Sequence, residues 1–457
     1  MRVPPQIALA LRLSIFEGAV FGIYWNIVAG VIINGLALAL GAQPLHFAIL
    51  NGVPLLSQVF ALPAAILIQS HDVRKPFTLI CEGIARTVWL LVPLLVFFAP
   101  GSTARIWFVL AIAAFSHAIH AGGAIGWTSW ISDLIPEQIR GFYFGARNAI
   151  IGLVATIGLT VASSYADRAK ETYGQGPGYL RALLLLVAIS VIFAAASWLG
   201  LLFQPVRKMR NLEDTGWKAI WQTLTTPNGR KIALAWVSFA YATGITTGIF
   251  MPYFLERARM SLMAVTIYVW VALTISTFFS PVWGRLSDRI GYRNVMVIGW
   301  LGVFWQPLLF VFTTDSTPRI FDLMPWTVLA DAIAGGAFWP AWYLPQTNLL
   351  IAQAPSRTRA GLFAAVAALT GLTGFIGAAT GGLIANAIGE GHTIQLGIMA
   401  LDDLKLPMLL GSGLRLATGC LIFLIREPER RAAPVTGSEA FITVWSVLIG
   451  KPYRPAR

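Results

Sequence analysis

Charged residues are scarce in this sequence: they make up 12% of its 457 residues, about half the share that is usual in soluble globular domains. Cysteine is scarce too, and because Cys81 and Cys420 both lie inside apolar runs, neither a disulfide framework nor a redox pair is implied. The sequence also lacks a nucleotide-binding loop and a constellation of metal ligands, so we expect no cofactor and no metal site. What is abundant is hydrophobic surface, at 57% of residues and a mean hydropathy of +0.71, which indicates an integral membrane protein.

The net charge of +13 does not indicate a nucleic-acid partner. The basic residues fall in short segments between apolar runs and do not line one soluble face. If each apolar run crosses the membrane once, both termini lie on the same side. Of the 33 lysines and arginines, 23 fall on that side. Because positive loops stay in the cytoplasm, we expect both termini there, in a plasma (inner) membrane protein.

Twelve apolar runs are long enough to cross a bilayer, since a helix needs about 20 residues to span ~30 Å. The first run is too long for a signal peptide and is expected to be an uncleaved helix. The predicted spans are 14–38, 47–69, 76–99, 105–131, 142–166, 179–203, 231–255, 262–283, 294–313, 323–350, 361–388 and 405–425.

The longest polar stretch divides these runs into two sets of six. We therefore expect an N-terminal six-helix bundle over 1–203, a cytoplasmic linker over 204–230 and a C-terminal six-helix bundle over 231–425, followed by a cytoplasmic tail over 426–457. Part of the linker, around Trp217–Trp221, and the apolar stretch of the tail, 440–449, are predicted to lie on the membrane surface.

Internal similarity between the halves supports this division. The tetrapeptide AGGA occurs at Ala121–Ala124 and at Ala334–Ala337, in the fourth and tenth predicted helices. Next to it, Pro136, Arg140 and Phe144 match Pro355, Arg359 and Phe363 at an offset of 219. A duplicated unit of this kind typically builds two bundles that rock about a central site.

A charged turn, GRLSDRIGYR at 284–293, separates the eighth and ninth runs. It resembles the loop motif of the major facilitator superfamily, G-x-L-x-D-R-x-G-R-R, through Gly284, Leu286, Asp288, Arg289, Gly291 and Arg293, and it departs at Tyr292. The resemblance implies an all-α membrane protein with 12 transmembrane helices in two pseudo-symmetric six-helix bundles, the fold of that superfamily. It also implies transport by alternating access.

A second charged loop resembles the one after the fourth helix in sugar-porter-like members of the same superfamily. Asp133 stands where glutamate is more usual, and Arg140 follows Pro136 at the matching distance. The first-half counterpart of the turn, 71–75, keeps an acid and two bases but no glycine. By resemblance, Asp288 contacts the start of the fifth helix near Gly141 and pairs with arginines such as Arg140. The predicted conformational latch, a set of contacts that forms while the cytoplasmic ends are closed, comprises Gly284, Asp288, Arg289, Gly291, Arg293, Asp133 and Arg140; the alternative is a turn that only enforces topology.

Ionisable groups inside the spans are candidates for function because they are costly in hydrocarbon. Asp331 is expected to bind a cation, carry a proton, or pair with a base such as Arg415, unless it lies nearer the interface. Glu17 opens the first helix. Glu82 and Arg86, four residues apart, are predicted to form a structural pair on one helix face.

His117 and His120 share a helix face with Ala121, Ala124 and Thr128, which suits cavity lining or internal hydrogen bonding better than metal binding. Trp127 and Trp130, and Trp339, Trp342 and Tyr343, can stack on a substrate ring or form a membrane-interface belt. Glycines 371, 374, 377 and 381 form one stripe that permits close helix approach. The candidates for the substrate or proton pathway are Glu17, Tyr24, His117, His120, Asp331, Trp339 and Trp342.

The resulting hypothesis is a secondary transporter, and not an enzyme, that moves a small organic solute such as a sugar or another metabolite. A co-transported proton, membrane lipid as a partner, and a monomeric state are part of it. The alternatives are a drug or metabolite efflux antiporter of the same superfamily, a receptor or sensor that has lost transport, and a membrane-embedded enzyme. The fifth helix lacks the Gly-Pro pair typical of drug–proton antiporters, which argues against the efflux antiporter without excluding it.

Overall fold

The computed structural model of the protein describes residues 5–71, 73–98, 102–134, 137–205, 221, 224–353, 359–396 and 399–427. Long helices make up nearly all of this part of the chain. They are α1 (Pro5–Val28 and Val31–Ala39), α2 (Pro44–Leu56 and Ala61–His71), α3 (Arg74–Thr87 and Leu91–Phe98), α4 (Ser102–Leu134), α5 (Glu137–Tyr173), α6 (Pro177–Leu202), α7 (Pro227–Thr247, continued by Phe250–Pro252 and Tyr253–Arg257), α8 (Leu262–Ile290), α9 (Tyr292–Val303 and Gln306–Val311), α10 (Trp326–Gln353), α11 (Arg359–Ile388) and α12 (Lys405–Gly419, continued by Cys420–Leu424).

Eleven helices in the described ranges are long and apolar enough to cross a membrane. The remaining long helix, α10, has 28 residues and coincides with the predicted span 323–350. It is less apolar than the others because it contains Asp331, Pro340 and Pro345 together with several aromatic residues. The expectation of an all-helical, multi-pass membrane protein is confirmed.

Helix boundaries follow from local chemistry. Thr226 precedes α7, where its side chain accepts the backbone N–H of Gly229 at 3.1 Å, and Pro227 occupies the first helical position, where no N–H is needed. Ser261 caps α8 in the same way by accepting the N–H of Ala264. In α2, Pro54 interrupts the hydrogen-bond ladder just before a 3-10 turn begins at Ser57, as expected for proline inside a helix.

The helices pack in two groups that repeat the same pattern. In the first half α1 packs on α5 and α6, and α4 packs on α2 and α3. In the second half α7 packs on α11 and α12, and α10 packs on α8 and α9. Each of these pairs recurs six helices later, so the chain forms two pseudo-symmetric six-helix bundles.

Two small hairpins close one end of the C-terminal bundle. Strands β1 (Arg319–Ile320) and β2 (Met324–Pro325) are antiparallel, with Ile320 opposite Met324. Strands β3 (Thr393–Leu396) and β4 (Met399–Asp402) are also antiparallel, with Ile394 opposite Leu401. We call the end that carries these strands the loop face, and the end at which α1 begins and α12 ends the terminal face.

The apolar core differs between the two faces. Towards the loop face, one cluster joins buried residues of both bundles, including Leu36 and Phe47 from the first and Leu262 and Val265 from the second. Towards the terminal face there are three clusters, and the buried members of each come from one half of the chain. One cluster contains N-terminal-half residues such as Ala10 and Tyr143, and the other two contain C-terminal-half residues. The shared apolar core therefore joins the bundles towards the loop face, and α11 also packs along both segments of α2 in the first bundle.

Candidate functional site

A buried ion network lies inside the N-terminal bundle. The carboxylate of Glu17, which is 3% exposed, accepts a hydrogen bond from Arg147 at 3.2 Å and lies 3.5 Å from Arg86. Ser197 on α6 donates to the Glu17 carboxylate at 3.1 Å and accepts from Arg86 at 2.9 Å. Ser14, one turn before Glu17, accepts from Arg147 through its backbone and side-chain oxygens. The network thus joins α1, α3, α5 and α6.

The network continues to α4 through Glu82. Arg86 donates to Glu82 at 3.0 Å, so the predicted pair on one face of α3 is confirmed. On its other side, Glu82 lies 2.9 Å from Nδ1 of His120. The second glycine of the first AGGA repeat makes this contact possible, because a Cβ at Gly123 would lie 2.7 Å from the Glu82 carboxylate.

Aromatic rings surround His120. Its ring centroid lies 5.4 Å from that of Phe21 and 4.6 Å from that of Trp25, and His117 meets Trp25 edge-on at 5.0 Å. His120 is 21% exposed, whereas His117 is buried. These side chains border a cleft of about 160 Å³ whose lining residues are Trp25, Pro54, Ser57, Gln58, His117, His120, Ala121, Ala124, Ile125 and Thr128.

Tyr24 lies away from this cleft. It is 2% exposed and its hydroxyl donates to the backbone oxygen of Ala85 at 3.4 Å. The side chain packs within the apolar core. Its sequence-based placement on a substrate or proton pathway therefore stays a prediction without a contact to the cleft lining.

In the C-terminal bundle, Asp331 has a different partner from the base considered in the sequence. Its carboxylate, which is buried, accepts a hydrogen bond from the Tyr268 hydroxyl at 2.6 Å. Arg415 instead donates to Thr246 at 2.5 Å and to the backbone oxygen of Val303 at 3.3 Å. Among the described residues, Asp331 and Arg415 form no ion pair within 4 Å, although each charge feels the other's field.

Trp339 and Trp342 have separate surroundings. Trp339 donates to the side-chain oxygen of Gln306 at 3.1 Å, and the Arg415 guanidinium lies 5.7 Å from its ring centroid. Trp342 is 4% exposed and packs on Phe239 of α7, with ring centroids 4.0 Å apart. Trp342 is thus packed as a core residue between α7 and α10, and its place on a substrate or proton pathway stays a prediction.

Trp130 departs from the belt interpretation. It is fully buried, and its indole N–H donates to the backbone oxygen of Pro205 at 2.8 Å. Lys75 lies over its ring at 5.5 Å. The side chain joins α4 to Pro205, directly after α6, and it is covered by protein.

The predicted latch is only partly described. Gly291 adopts φ 105°, a conformation that favours glycine, directly between α8 and α9. The side chains of Asp288, Arg289, Asp133 and Arg140, as well as Gly141, lie outside the described residues, so their contacts stay predictions.

The described part of the turn has a partner that sequence reasoning missed. Glu427, just beyond α12, accepts the backbone N–H groups of Tyr292 at 2.9 Å and Arg293 at 3.2 Å. The Arg293 side chain donates back to the oxygen of Ile425 at 3.4 Å. The available signal was an acid directly after the last predicted span, in the segment REPER.

The glycine stripe of α11 lies where two helices approach closely. Gly377 and Gly381 face the backbone oxygens of Tyr241 and Ile245 on α7. Gly371 faces α2, where a Cβ would lie 2.9 Å from the side chain of Gln58. The predicted close approach is confirmed. Across the described ranges, no group of three or more histidine, cysteine or acidic side chains could hold a metal ion.

Two pseudo-symmetric bundles of membrane-crossing helices with buried polar networks define a class of multi-pass integral membrane proteins. The model of the Major Facilitator Superfamily matches residues 16–343 and 263–455. The chain belongs to this superfamily, and it is an integral, multi-pass membrane protein.

Two relatives from Streptococcus pneumoniae, from serotype 4 (strain ATCC BAA-334 / TIGR4) and strain ATCC BAA-255 / R6, are called multi-drug resistance efflux pump PmrA. Each is 27% identical over 226 residues, covering 47% of this chain and 50% of the relative. The chain spans about half the length of the curated relatives it matches.

Solved structures share the fold. A D-xylose-proton symporter superposes with a TM-score of 0.68 at 14% identity, covering 92% of this chain and 98% of the other. The nucleoside transporter NupG superposes with a TM-score of 0.64 at 13% identity, covering 92% and 99%. At these identities the likeness establishes the architecture alone.

Proposed function

We propose that the protein is a secondary transporter that carries a small, polar, uncharged organic solute by alternating access, in symport with a proton. The conformation described above is the one open at the terminal face. The same site is proposed to serve both solute and proton, through the cleft between α1, α2 and α4.

The observation that carries the proposal is the unequal joining of the two bundles. One apolar core crosses between them towards the loop face, whereas the buried members of each terminal-face cluster stay within one half. Rocking the bundles would bring them together at the terminal face and separate them at the loop face. A bound solute would thereby move from one side of the membrane to the other. This supports a cycle between two states with different apolar contacts.

The chemistry of the cleft supports a small uncharged solute. Its volume of about 160 Å³ accommodates a compact molecule, and Trp25 offers an aromatic face. Ser57, Gln58 and Thr128 offer hydrogen-bonding groups around it. The nearest carboxylate, Glu82, is already engaged by Arg86 and His120, which leaves little unpaired charge to attract an ion.

The charge balance of the network supports proton coupling. Glu17 and Glu82 balance Arg86 and Arg147 while His120 is neutral. A proton on His120 adds one positive charge to a buried group of residues, and histidine is the side chain whose charge ordinarily changes near neutral pH. His120, with its Nδ1 2.9 Å from the Glu82 carboxylate, is therefore the residue proposed to carry the transported proton.

The excess of lysine and arginine on the side of the termini supports a cytoplasmic terminal face and a plasma (inner) membrane location. A monomer in contact with lipid completes the proposal. Efflux is the second candidate function, favoured by the similarity to the PmrA efflux pumps over half of the chain. Import and export use the same alternation and differ in whether the solute moves in the same direction as the proton or in the opposite direction.

The test begins with thermal-shift measurements of purified protein against neutral monosaccharides, nucleosides and lipophilic cations at several pH values. Stabilising compounds are then assayed for counterflow in proteoliposomes. We expect a neutral polar compound to bind and exchange, and an imposed pH gradient to drive its accumulation in the wild type but not in His120→Gln. Glu390→Gln, on the loop face and 84% exposed, is the matched control.

Each other outcome contradicts part of the proposal. Lipophilic cations that exchange while sugars and nucleosides do not would favour efflux. Binding without counterflow would favour a receptor or sensor, and conversion of the compound would favour an enzyme. Accumulation by His120→Gln equal to that of the wild type would contradict the role of His120.

A further inference from the structure

The two bundles are held together at the loop face by a carboxylate on a helix end. Asp167, near the end of α5, accepts the backbone N–H groups of Leu262 at 3.0 Å and Met263 at 2.8 Å. These are the first two residues of α8, in the other bundle. The first N–H groups of a helix have no partner within the helix and carry its positive end, so a carboxylate is a favourable acceptor there.

The pseudo-symmetric position holds a second contact of the same kind. Asn386, near the end of α11, accepts the backbone N–H of Leu45 at 3.2 Å, and its amide donates to Gln43 at 3.5 Å. Leu45 lies in the first turn of α2, again in the opposite bundle. Helices α5 and α11 correspond in the two halves, as do α2 and α8.

The sequence repeat relates the two contacts directly. Asn386 lies 219 positions after Asp167, the same offset that relates Pro136 to Pro355. On the receiving helices, Met263 lies 218 positions after Leu45. The two contacts therefore occupy equivalent positions in the two halves and differ in charge.

The difference in charge corresponds to the number of backbone N–H groups that each helix start leaves without a partner in the helix. In α8, Ser261 serves the third N–H, of Ala264, so the first two are left for the two oxygens of Asp167. In α2, the first residue is Pro44, which has no N–H, so only the N–H of Leu45 needs the single amide oxygen of Asn386. The Asp167 contact is partly buried and charge-assisted, and Ser163 and Thr266 reinforce it at 2.7 Å one turn away.

We propose that Asp167 and Asn386 are paired inter-bundle caps that hold the loop face closed, with Asp167 as the dominant member. The inference rests on the alternating access proposed above. Separation of α5 from α8 and of α11 from α2 transfers these N–H groups to water, so the caps stabilise only the conformation that is closed at the loop face. Their strength sets how often that face opens.

Double electron–electron resonance in lipid nanodiscs tests the proposal, in a background with Cys81 and Cys420 replaced by serine. Spin labels at Tyr173 and Phe321, which are exposed near the loop face, report its opening. Labels at Phe203 and Leu424, both exposed, report the terminal face. The variants are Asp167→Ala, Asp167→Asn and Asn386→Ala, and the control is Glu390→Gln, which removes an 84% exposed carboxylate 3.7 Å from Arg257 on the same face.

We expect Asp167→Ala to raise the ratio of open to closed loop face about tenfold, the population change that follows from loss of a helix cap. Asp167→Asn, with one acceptor oxygen for two N–H groups, should give an intermediate shift, and Asn386→Ala a smaller one. Glu390→Gln should match the wild type. The terminal-face distance should shorten as the loop-face distance lengthens.

An unchanged distribution of spin-label distances at the loop face in Asp167→Ala would contradict the proposed role of the caps. Equal shifts in Asp167→Ala and Glu390→Gln would do the same. Failure of the proposed function looks different: the wild type would show no counterflow with any compound, while the loop-face distance would still respond to Asp167. Asp167→Asn is nearly isosteric, so it supplies a folded protein if the alanine variant is lost.

Discussion

Glu427 accepts the backbone N–H of Tyr292, the first residue of α9, although 135 positions separate the two in sequence. The segment that leaves α12 therefore caps the helix that begins after the charged turn. Asn228 adds a second connection, because its side chain exchanges two hydrogen bonds with the backbone of Arg426 at 2.9 and 3.0 Å. The end of α12 is thus bound to the starts of both α7 and α9.

The two glycines of the turn should respond differently to alanine. Gly291→Ala places a Cβ at φ 105° and 2.8 Å from the Glu427 carboxylate, so we expect a loss of about 1–2 kcal/mol and a lower Tm. Gly284→Ala is the matched control, because its Cβ would meet no atom within 4 Å among the described residues and lies inside α8. It should gain about 0.5–1 kcal/mol. Equal Tm values for the two variants in detergent would contradict the assigned backbone strain.

The N-terminal network should be sensitive to the charge of Glu17. Glu17→Gln leaves Arg86 and Arg147 buried with one carboxylate fewer, and breaking a buried ion pair typically costs about 3–5 kcal/mol. We expect a clear fall in Tm. Glu390→Gln removes an exposed carboxylate 3.7 Å from Arg257 and should leave Tm unchanged. A Glu17→Gln protein as stable as this control would show that the network contributes nothing to folding.

Asp331 and Arg415 should be coupled although they do not touch. Asp331→Asn leaves the buried guanidinium without the field of a nearby anion, and Arg415→Gln does the reverse. We expect each variant to lower Tm and the double variant to lose less than the sum, with a coupling of about 0.5–3 kcal/mol. Asp331→Asn combined with Arg257→Gln, on the loop face, should be additive. Additivity in both double variants would mean that the two charges act independently.

Trp342 should behave as a core residue. Trp342→Ala opens a cavity against Phe239 and is expected to cost about 3–5 kcal/mol. Trp326→Ala, at the start of α10 and 47% exposed, is the control and should change Tm little. A Trp342→Ala protein that keeps its Tm but loses solute binding would contradict the core role and would indicate that Trp342 belongs to the solute site.

Several features of the structure could be predicted because they depend on residues that are near one another in sequence. The span lengths follow from runs of apolar residues, and the Glu82–Arg86 pair follows from the pitch of one helix. The close approach of Gly377 and Gly381 to α7 follows from a stripe of small side chains. Each of these requires only that the segment be helical.

The partners of polar groups on different helices could not be predicted in the same way. Asp331 hydrogen-bonds Tyr268, not Arg415, and Glu17 meets two arginines from α3 and α5. Such contacts depend on how each helix is rotated about its axis and how far it slides along its neighbour. Hydrophobic length does not encode either quantity.

By itself, then, the sequence determined a two-part membrane protein with its charged turn, its repeated halves and the set of costly polar groups within its spans. Only the tertiary structure decided which of these groups meet, that Trp342 and Trp130 are covered by protein, and that Asp167 and Asn386 reach across to the opposite bundle. The physical reason is that burial in lipid acts on each helix alone, whereas hydrogen bonds and close packing act between helices once they are assembled.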